Sequence, residues 1–231
     1  MEKIKIAKYL ASSGLCSRRK CEELIKSGAI KVNRTLAKVA DRINPKQDTI
    51  EIGNKKIKPQ EKVYYLLYKP VGYVTTTKDK HAQYLITDLA PKNPPVWPVG
   101  RLDKFTSGLI ILTNDGELTQ KLTHPKYEKE KEYSIITNKP LAQEEIIKIK
   151  KGVKLEDGFI KPDLFEETSK NNYKMILHSG KKRIVRRIIE NFGKKVSQLK
   201  RVRVDNLTLE NLKIGQYRKL DQKKINNLLE K

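Results

Sequence analysis

PVWPVGRLDKFTSGLIILTNDGEL, residues 95–118, is the stretch on which the reading of this chain turns. Pro98 and Gly100 mark a loop, and Leu109 to Leu112 form an apolar run suited to a buried strand. Asn114-Asp115-Gly116 then supplies a turn signal. Asp103 is therefore expected in a loop just ahead of that strand, with Arg101 and Lys104 beside it. Fixed cations favour the charged form of a carboxylate, which is the form a nucleophile needs. The spacing alone fits better an Asp that caps a turn or pairs with Arg101.

The surrounding segments predict an α+β fold. VYYLLYKPVGYVTT (63–76) reads as two strand-like runs broken by Pro70 and Gly72. GLIILTN, KEYSIIT and YKMILHS are further short strands, while LAQEEIIKIKKGV and KRIVRRIIENFG have helical periodicity. Strands and helices mixed in this way predict an antiparallel or mixed sheet. The last stretch, LDQKKINNLLEK (220–231), predicts a short helix that frays.

The first sixty residues read as a separate small module. IKIAKYLA (4–11) places Ile4, Ala7, Leu10 and Ala11 on one helical face, with Gly14 beyond its end. Ser17 is placed to cap a second helix that stops at Gly28. Short strands AIKVN, DTIEI and KKI follow. The division predicted is a module over 1–52, a polar linker GNKKIKPQEK over 53–62 and a larger domain over 63–231.

Charge narrows the function. Fifty Lys and Arg against 27 Asp and Glu give a net +23, an excess that favours a polyanionic partner, although a Lys-rich composition alone would also raise it. Arg18, Arg19 and Lys20 cluster at the start of the second helix, where adjacent residues point in different directions. Residues 181–203 hold ten cations and one carboxylate, Glu190. Within them Ile184, Val185, Ile188, Ile189 and Phe192 supply an apolar helix face. No stretch approaches the ~20 apolar residues of a spanning helix, and the N-terminus has no signal-peptide core, so a cytoplasmic protein is expected. Cys16 and Cys21 form no CxxC pair, and the three histidines are scattered. Two reduced thiols and no metal site are expected.

Two resemblances add to this reading. KYLASSGLCSRRKCEELIKSGAIKVN resembles the RNA-binding module named after ribosomal protein S-four, over nearly all of residues 2–52. It departs at Arg34-Thr35, where relatives commonly have Gly after the Asn. The resemblance implies that Arg18, Arg19 and Lys20 face RNA. The run Gly100-Arg101-Leu102-Asp103, then Thr106-Ser107-Gly108-Leu109 and Leu112-Thr113-Asn114-Asp115-Gly116, resembles the signature of pseudouridine synthases of the RsuA/RluB type. YKPVGYVTT at 68–76 and LTHPKYEKEKEYSI at 122–135 resemble that family's flanking motifs. Together the two cover roughly residues 2–220.

The family resemblance implies conversion of uridine to pseudouridine in ribosomal RNA or a pre-ribosomal particle, in the large subunit more than the small. It implies a monomer that needs no cofactor and no metal. The bond from ribose to the uracil nitrogen is broken and remade to carbon on the same nucleotide, so nothing is oxidised and no group is donated. Asp103 is then the nucleophile, attacking the ribose or the base ring. Tyr133 is the platform for the flipped base and a proton acceptor. Arg186 is the cation that pairs with Asp103. Leu199, Arg101 and Arg187 are implied to contact substrate. The chain departs from the pattern at Arg183 and Ile184, where relatives have a small polar residue and Gln, and at Asp205-Asn206, where they have an apolar-Gly pair. Two rivals follow. One is a ribosome-assembly binding protein that has lost catalysis, with Ile184 as its support. The other is a carboxylate-dependent hydrolase, which needs a second positioned carboxylate, with Asp115 nearest.

Overall fold

The structure, a computed structural model, describes residues 3–229. The chain divides into two compact units. The first runs to Val63 and takes in Lys92–Pro95 and Asn114–Gly116. The second holds Tyr64–Pro91, Val96–Thr113 and the chain from Glu117 onward.

In the first unit, helices Ile6–Ser12 and Arg18–Lys26 accompany a four-stranded antiparallel sheet. Its strands are ordered Thr35–Leu36, Ile30–Val32, Ile50–Ile52, Lys55–Lys56. The first helix starts later than its periodicity predicts, because Ile4–Lys5 pairs as a strand with Arg42–Ile43. Ile6, Tyr9 and Leu10 are buried with Cys21, Ile25, Ile30 and Ile50. The hydroxyl of Ser17 accepts from the Lys20 amide and caps the second helix as expected. Asn33 and Arg34 both adopt left-handed φ, at 49° and 70°, so Arg34 takes the conformation for which Gly is usual. Part of the expected linker is ordered sheet: Lys55–Lys56 pairs with Glu51–Ile52, and the Ile57 amide donates to Ile50 O at 2.8 Å. Gly53, at φ 56°, lets the chain double back there. The two cysteines are joined as a disulfide, not held as the free thiols expected. The Ser17 turn carries Cys16 back to the first helical turn, leaving the Cα atoms 5.8 Å apart, within the range a bridge spans.

The second unit is built on one mixed sheet. Its path runs Leu164–Ser169, Asn172–Leu177, Lys131–Thr137, Val196–Val204, Ser107–Thr113, Tyr64–Lys69, Tyr217–Lys219. Every pairing is antiparallel except that of Ser107–Thr113 with Val196–Val204. That parallel junction separates two cores. Ile135, Phe165, Tyr173, Ile188 and Ile189 belong to one. Leu66, Leu109, Ile111, Leu207 and Leu228 belong to the other. Of the two runs expected in 63–76, only Tyr64–Lys69 is a strand; Val74 forms a single bridge to Leu85. The helical patterns appear as Gln143–Lys151 and Ile184–Glu190, and the final one as Gln222–Leu229. Glu230 and Lys231 lie outside the described residues, as do Met1 and Glu2.

Gly108 explains how the two halves come so close. Its φ is 117°, and a Cβ there would stand 2.2 Å from the carbonyl oxygen of Arg201. Only glycine fits, because this residue pairs directly with Arg201 in the parallel register.

Candidate active site

The parallel junction brings Asp103, Tyr133, Leu199 and Arg201 to one cleft of about 950 Å³. That volume is in the range of small-molecule and nucleotide pockets. Val99 to Asp103 supply one wall, Lys131 and Tyr133 another, and residues 178–185 a third.

Asp103 sits where its sequence placed it, half-exposed, in the loop between the Trp97–Pro98 and Ser107–Thr113 strands. The loop is held by its backbone. Lys104 O accepts from the Gly72 amide at 2.8 Å and Phe105 O from Arg186 Nη2 at 2.7 Å. Asp103 O accepts from the Thr106 amide at 3.0 Å. Thr75 Oγ1 donates to Leu102 O at 2.6 Å from the other side.

The main clamp is Lys69, which is fully buried. Its Nζ donates to Thr106 O at 2.8 Å, Pro70 O at 3.0 Å and Asp103 O at 3.2 Å. Burial pushes its pKa down to about 8, while the Asp103 carboxylate pulls the other way. An ammonium satisfied by three carbonyls is a stable way to bury a cation, and it places positive charge under the candidate nucleophile. In the sequence Lys69 stands out only as part of a motif; its available signal is a cation ending the strand YYLLYK.

Arg186 was expected to pair with Asp103. Its hydrogen bonds go instead to backbone, to Phe105 O and to Val196 O at 2.9 Å. It is buried, and burial lowers its pKa, helped by Arg183 and opposed by the Asp103 carboxylate. The Asp103 charge thus reaches Arg186, whose guanidinium also ties the loop to the strand Val196–Val204. Among the described residues, Arg186 Nε and Thr106 Oγ1 are buried with no hydrogen-bond partner. Thr106 lines the cleft.

Tyr133 is buried on the strand Lys131–Thr137, paired with Arg201 and Met175. Arg201, counted in the sequence only as one of ten cations, is itself buried and donates from Nε to Leu109 O at 2.8 Å. Burial lowers its pKa, and its interaction with the Tyr133 hydroxyl opposes that. Leu199, Ile184 and Val185 give the cleft an apolar wall, and Ile184 also packs into the core. Two residues before Tyr133, Lys131 Nζ donates to Lys129 O at 2.8 Å and His178 O at 2.9 Å. Burial, then Arg201, lowers its pKa to about 8, against the pull of Asp205. Asp205, at the apolar position of the usual apolar-Gly pair, takes a left-handed φ of 51°. Its carboxylate is taken up in a buried pair with Lys129 at 2.8 Å.

Other expected residues are placed differently. Arg101 is exposed and lines the cleft. Arg187 is a correction: its guanidinium grips Asp157 with two bonds, at 2.9 and 3.0 Å, and it does not line the cleft. The helix turns Arg186 inward and its neighbour outward, as adjacent helical residues must. Asp115 is no second carboxylate at the site; it is buried in the first unit and pairs with Lys62 at 3.0 Å. Arg18, Arg19 and Lys20 are exposed in the first unit, Lys20 pairing with Glu23 at 2.9 Å. Among the described residues no three His, Cys, Asp or Glu side chains are grouped to hold a metal ion. Nor, among them, is any helix long and apolar enough to cross a membrane.

The chain is similar to known proteins over most of its length. The model of the RNA pseudouridylate synthase family matches residues 63–210, and that of the S4 domain matches residues 4–50. The chain is 37% identical over 97% of its length to ribosomal large subunit pseudouridine synthase B of Bacillus subtilis, of which it covers 95%. It is 33% identical over 94% of its length to the dual-specificity RNA pseudouridine synthase RluF of Escherichia coli, covering 75% of that protein. A crystal structure of a pseudouridylate synthase superposes with a TM-score of 0.70 at 27% identity, over 97% of this chain and 99% of the other.

Proposed function

This chain belongs to the RNA pseudouridylate synthase family and is an RNA-modifying isomerase with an S4 domain, and from that premise we propose that it acts on uridine in large-subunit ribosomal RNA with Asp103 as nucleophile. One observation carries the assignment of Asp103. Its loop has been made rigid by buried cations bonded to backbone, Lys69 and Arg186, while its own carboxylate is left half-exposed at the cleft. A carboxylate that lines the cleft, and that among the described residues is not consumed in a structural ion pair, suits nucleophilic attack.

The other roles follow from position. The target nucleotide leaves its stack at a cost of a few kcal/mol, and the Tyr133 ring recovers part of it. Leu199 and Ile184 complete the apolar wall. The Tyr133 hydroxyl, steadied by Arg201, is placed to accept a proton. Arg186 positions Asp103 through the loop and through its charge. Arg101 meets the RNA at the rim, and Arg18, Arg19 and Lys20 bind phosphates in the S4 domain. We place the binding and catalytic parts on either side of residue 63, and the protein in the cytoplasm, with its substrate. The large subunit is favoured by the name of the Bacillus relative. The rival reading of a scaffold without catalysis is disfavoured by the family match; Ile184 itself packs in the core and lines the cleft.

The test is to map pseudouridines in ribosomal RNA from cells with the gene, without it, and with Asp103→Asn in its place. Loss of modification at one or a few large-subunit positions is expected, restored by the natural chain and not by the amide variant. An unchanged map, or full rescue by Asp103→Asn, overturns the proposal.

A further inference from the structure

Phe105 lies two residues beyond Asp103, and 62% of it is exposed. Single exposed apolar side chains are ordinary on protein surfaces. The setting of this one is not. A phenylalanine on a compliant loop folds down to shed water from its ring. Here the backbone is pinned at every step: Lys104 O to Gly72, Phe105 O to Arg186, Thr106 O to Lys69. The backbone that carries the exposed ring is thus fixed by the same set of bonds that holds the Asp103 loop.

Its neighbours have the chemistry of nucleic-acid contact. Asp103 and Thr106, on either side of it in sequence, line the cleft. The Lys104 ammonium stands 5.9 Å from the ring centroid, and Arg101 is exposed on the same loop. A flat apolar ring flanked by cations combines the two elements by which single-stranded RNA is held, base stacking and phosphate attraction. When a base is drawn out of its stack, the base next to it is left with one face uncovered.

We propose that Phe105 is a stacking platform for the unpaired nucleobase adjacent to the target uridine, covering the face that is bared when that uridine enters the cleft. The inference rests on the reading of Asp103 as nucleophile. Stacking accepts any base, since every base has a flat face, so Phe105 selects for an unpaired neighbour and not for its identity.

The experiment uses the full chain and a stem-loop RNA bearing the mapped uridine, made with natural bases or with an abasic residue at each flanking position. Affinity is measured for the natural chain and for Phe105→Ala, Phe105→Leu and Phe105→Tyr. Phe105→Ala should weaken binding about tenfold or more, Phe105→Leu nearly as much, and Phe105→Tyr hardly at all. One abasic position should weaken binding to the natural chain by a similar factor and cost Phe105→Ala nothing further. Binding of Phe105→Ala within twofold of the natural chain overturns the proposal. So does an abasic penalty that simply adds to that of Phe105→Ala at both positions, or a leucine that serves as well as phenylalanine. Turnover by Asp103→Asn on the same RNA would count against the nucleophile instead, and the affinity comparison is scored separately from it.

Discussion

The Asp103 loop and the Arg18–Lys20 cluster use the same kind of residue for opposite ends. Around Asp103 the cations Lys69, Arg186 and Arg201 are buried, and each donates to backbone carbonyls of distant strands and loops. In the S4 domain Arg18, Arg19 and Lys20 stand exposed at a helix start. Buried cations lose hydration and must be satisfied in fixed geometry, so they give precision. Exposed ones keep their water and counterions, so they give salt-dependent affinity. A basic chain is therefore not uniformly an RNA-binding surface; part of its charge is framework.

The largest expected effect falls on the framework side. Arg186→Ala removes two hydrogen bonds, one of them to the loop, and the charge felt by Asp103. The single-turnover rate at saturating RNA should fall about 100-fold, the cost typical of roughly 1 Å of misplacement, with affinity changed only a few-fold. An Arg186 variant that loses affinity alone would erase the contrast.

A smaller effect is expected from pH. Lys69 and Lys131 both have pKa values lowered to about 8 by burial. Below that pH both are charged. As pH rises through it, Lys69 becomes a neutral amine with two N–H groups for three carbonyls, and its attraction for Asp103 is lost. The saturated rate should fall on the alkaline side with a midpoint near 8, by about tenfold, the roughly 1.4 kcal/mol of about one hydrogen bond to a charged group. In Lys69→Met the rate should be low throughout and that limb absent, whereas Lys131→Met should keep the part that belongs to Lys69. A profile that stays flat to about pH 9.5 in the natural chain, well past the range where a lysine so buried gives up its proton, would remove Lys69 from the mechanism.

The exposed side should show the mildest change. Arg18→Ala with Arg19→Ala should weaken RNA binding several-fold at moderate salt and lower the slope of log affinity against log salt by about 0.7–0.9 for each phosphate interaction removed. Single turnover at saturation should stay within about twofold, because the S4 domain holds none of the cleft residues. An unchanged slope would show that these cations are not on the RNA path.

Much of this molecule was legible locally. The loop before GLIIL, the strand carrying Tyr133 and the helix carrying Arg186 all follow from periodicity and turn residues within short windows. The loop position of Asp103 was read from its own stretch, its role only from the family resemblance, and the S4 helices from their own stretches. What the sequence withheld were partners far apart in the chain. Lys69 reaches Thr106 across 37 positions, Arg186 reaches Phe105 across 81, and Arg201 reaches Leu109 across 92. The turning of Arg187 to Asp157 was hidden for the same reason. Residue type and spacing determine which elements form, since backbone preference and amphipathic period act over a few residues. Which carbonyl a buried cation meets is decided by strand pairing: the antiparallel register of Tyr64–Lys69 on Ser107–Thr113 sets Lys69 opposite Gly108, and the parallel pairing of Ser107–Thr113 with Val196–Val204 sets Arg201 beside Leu109, with Gly108 lying close against Arg201, an approach that exists only once the sheet has closed.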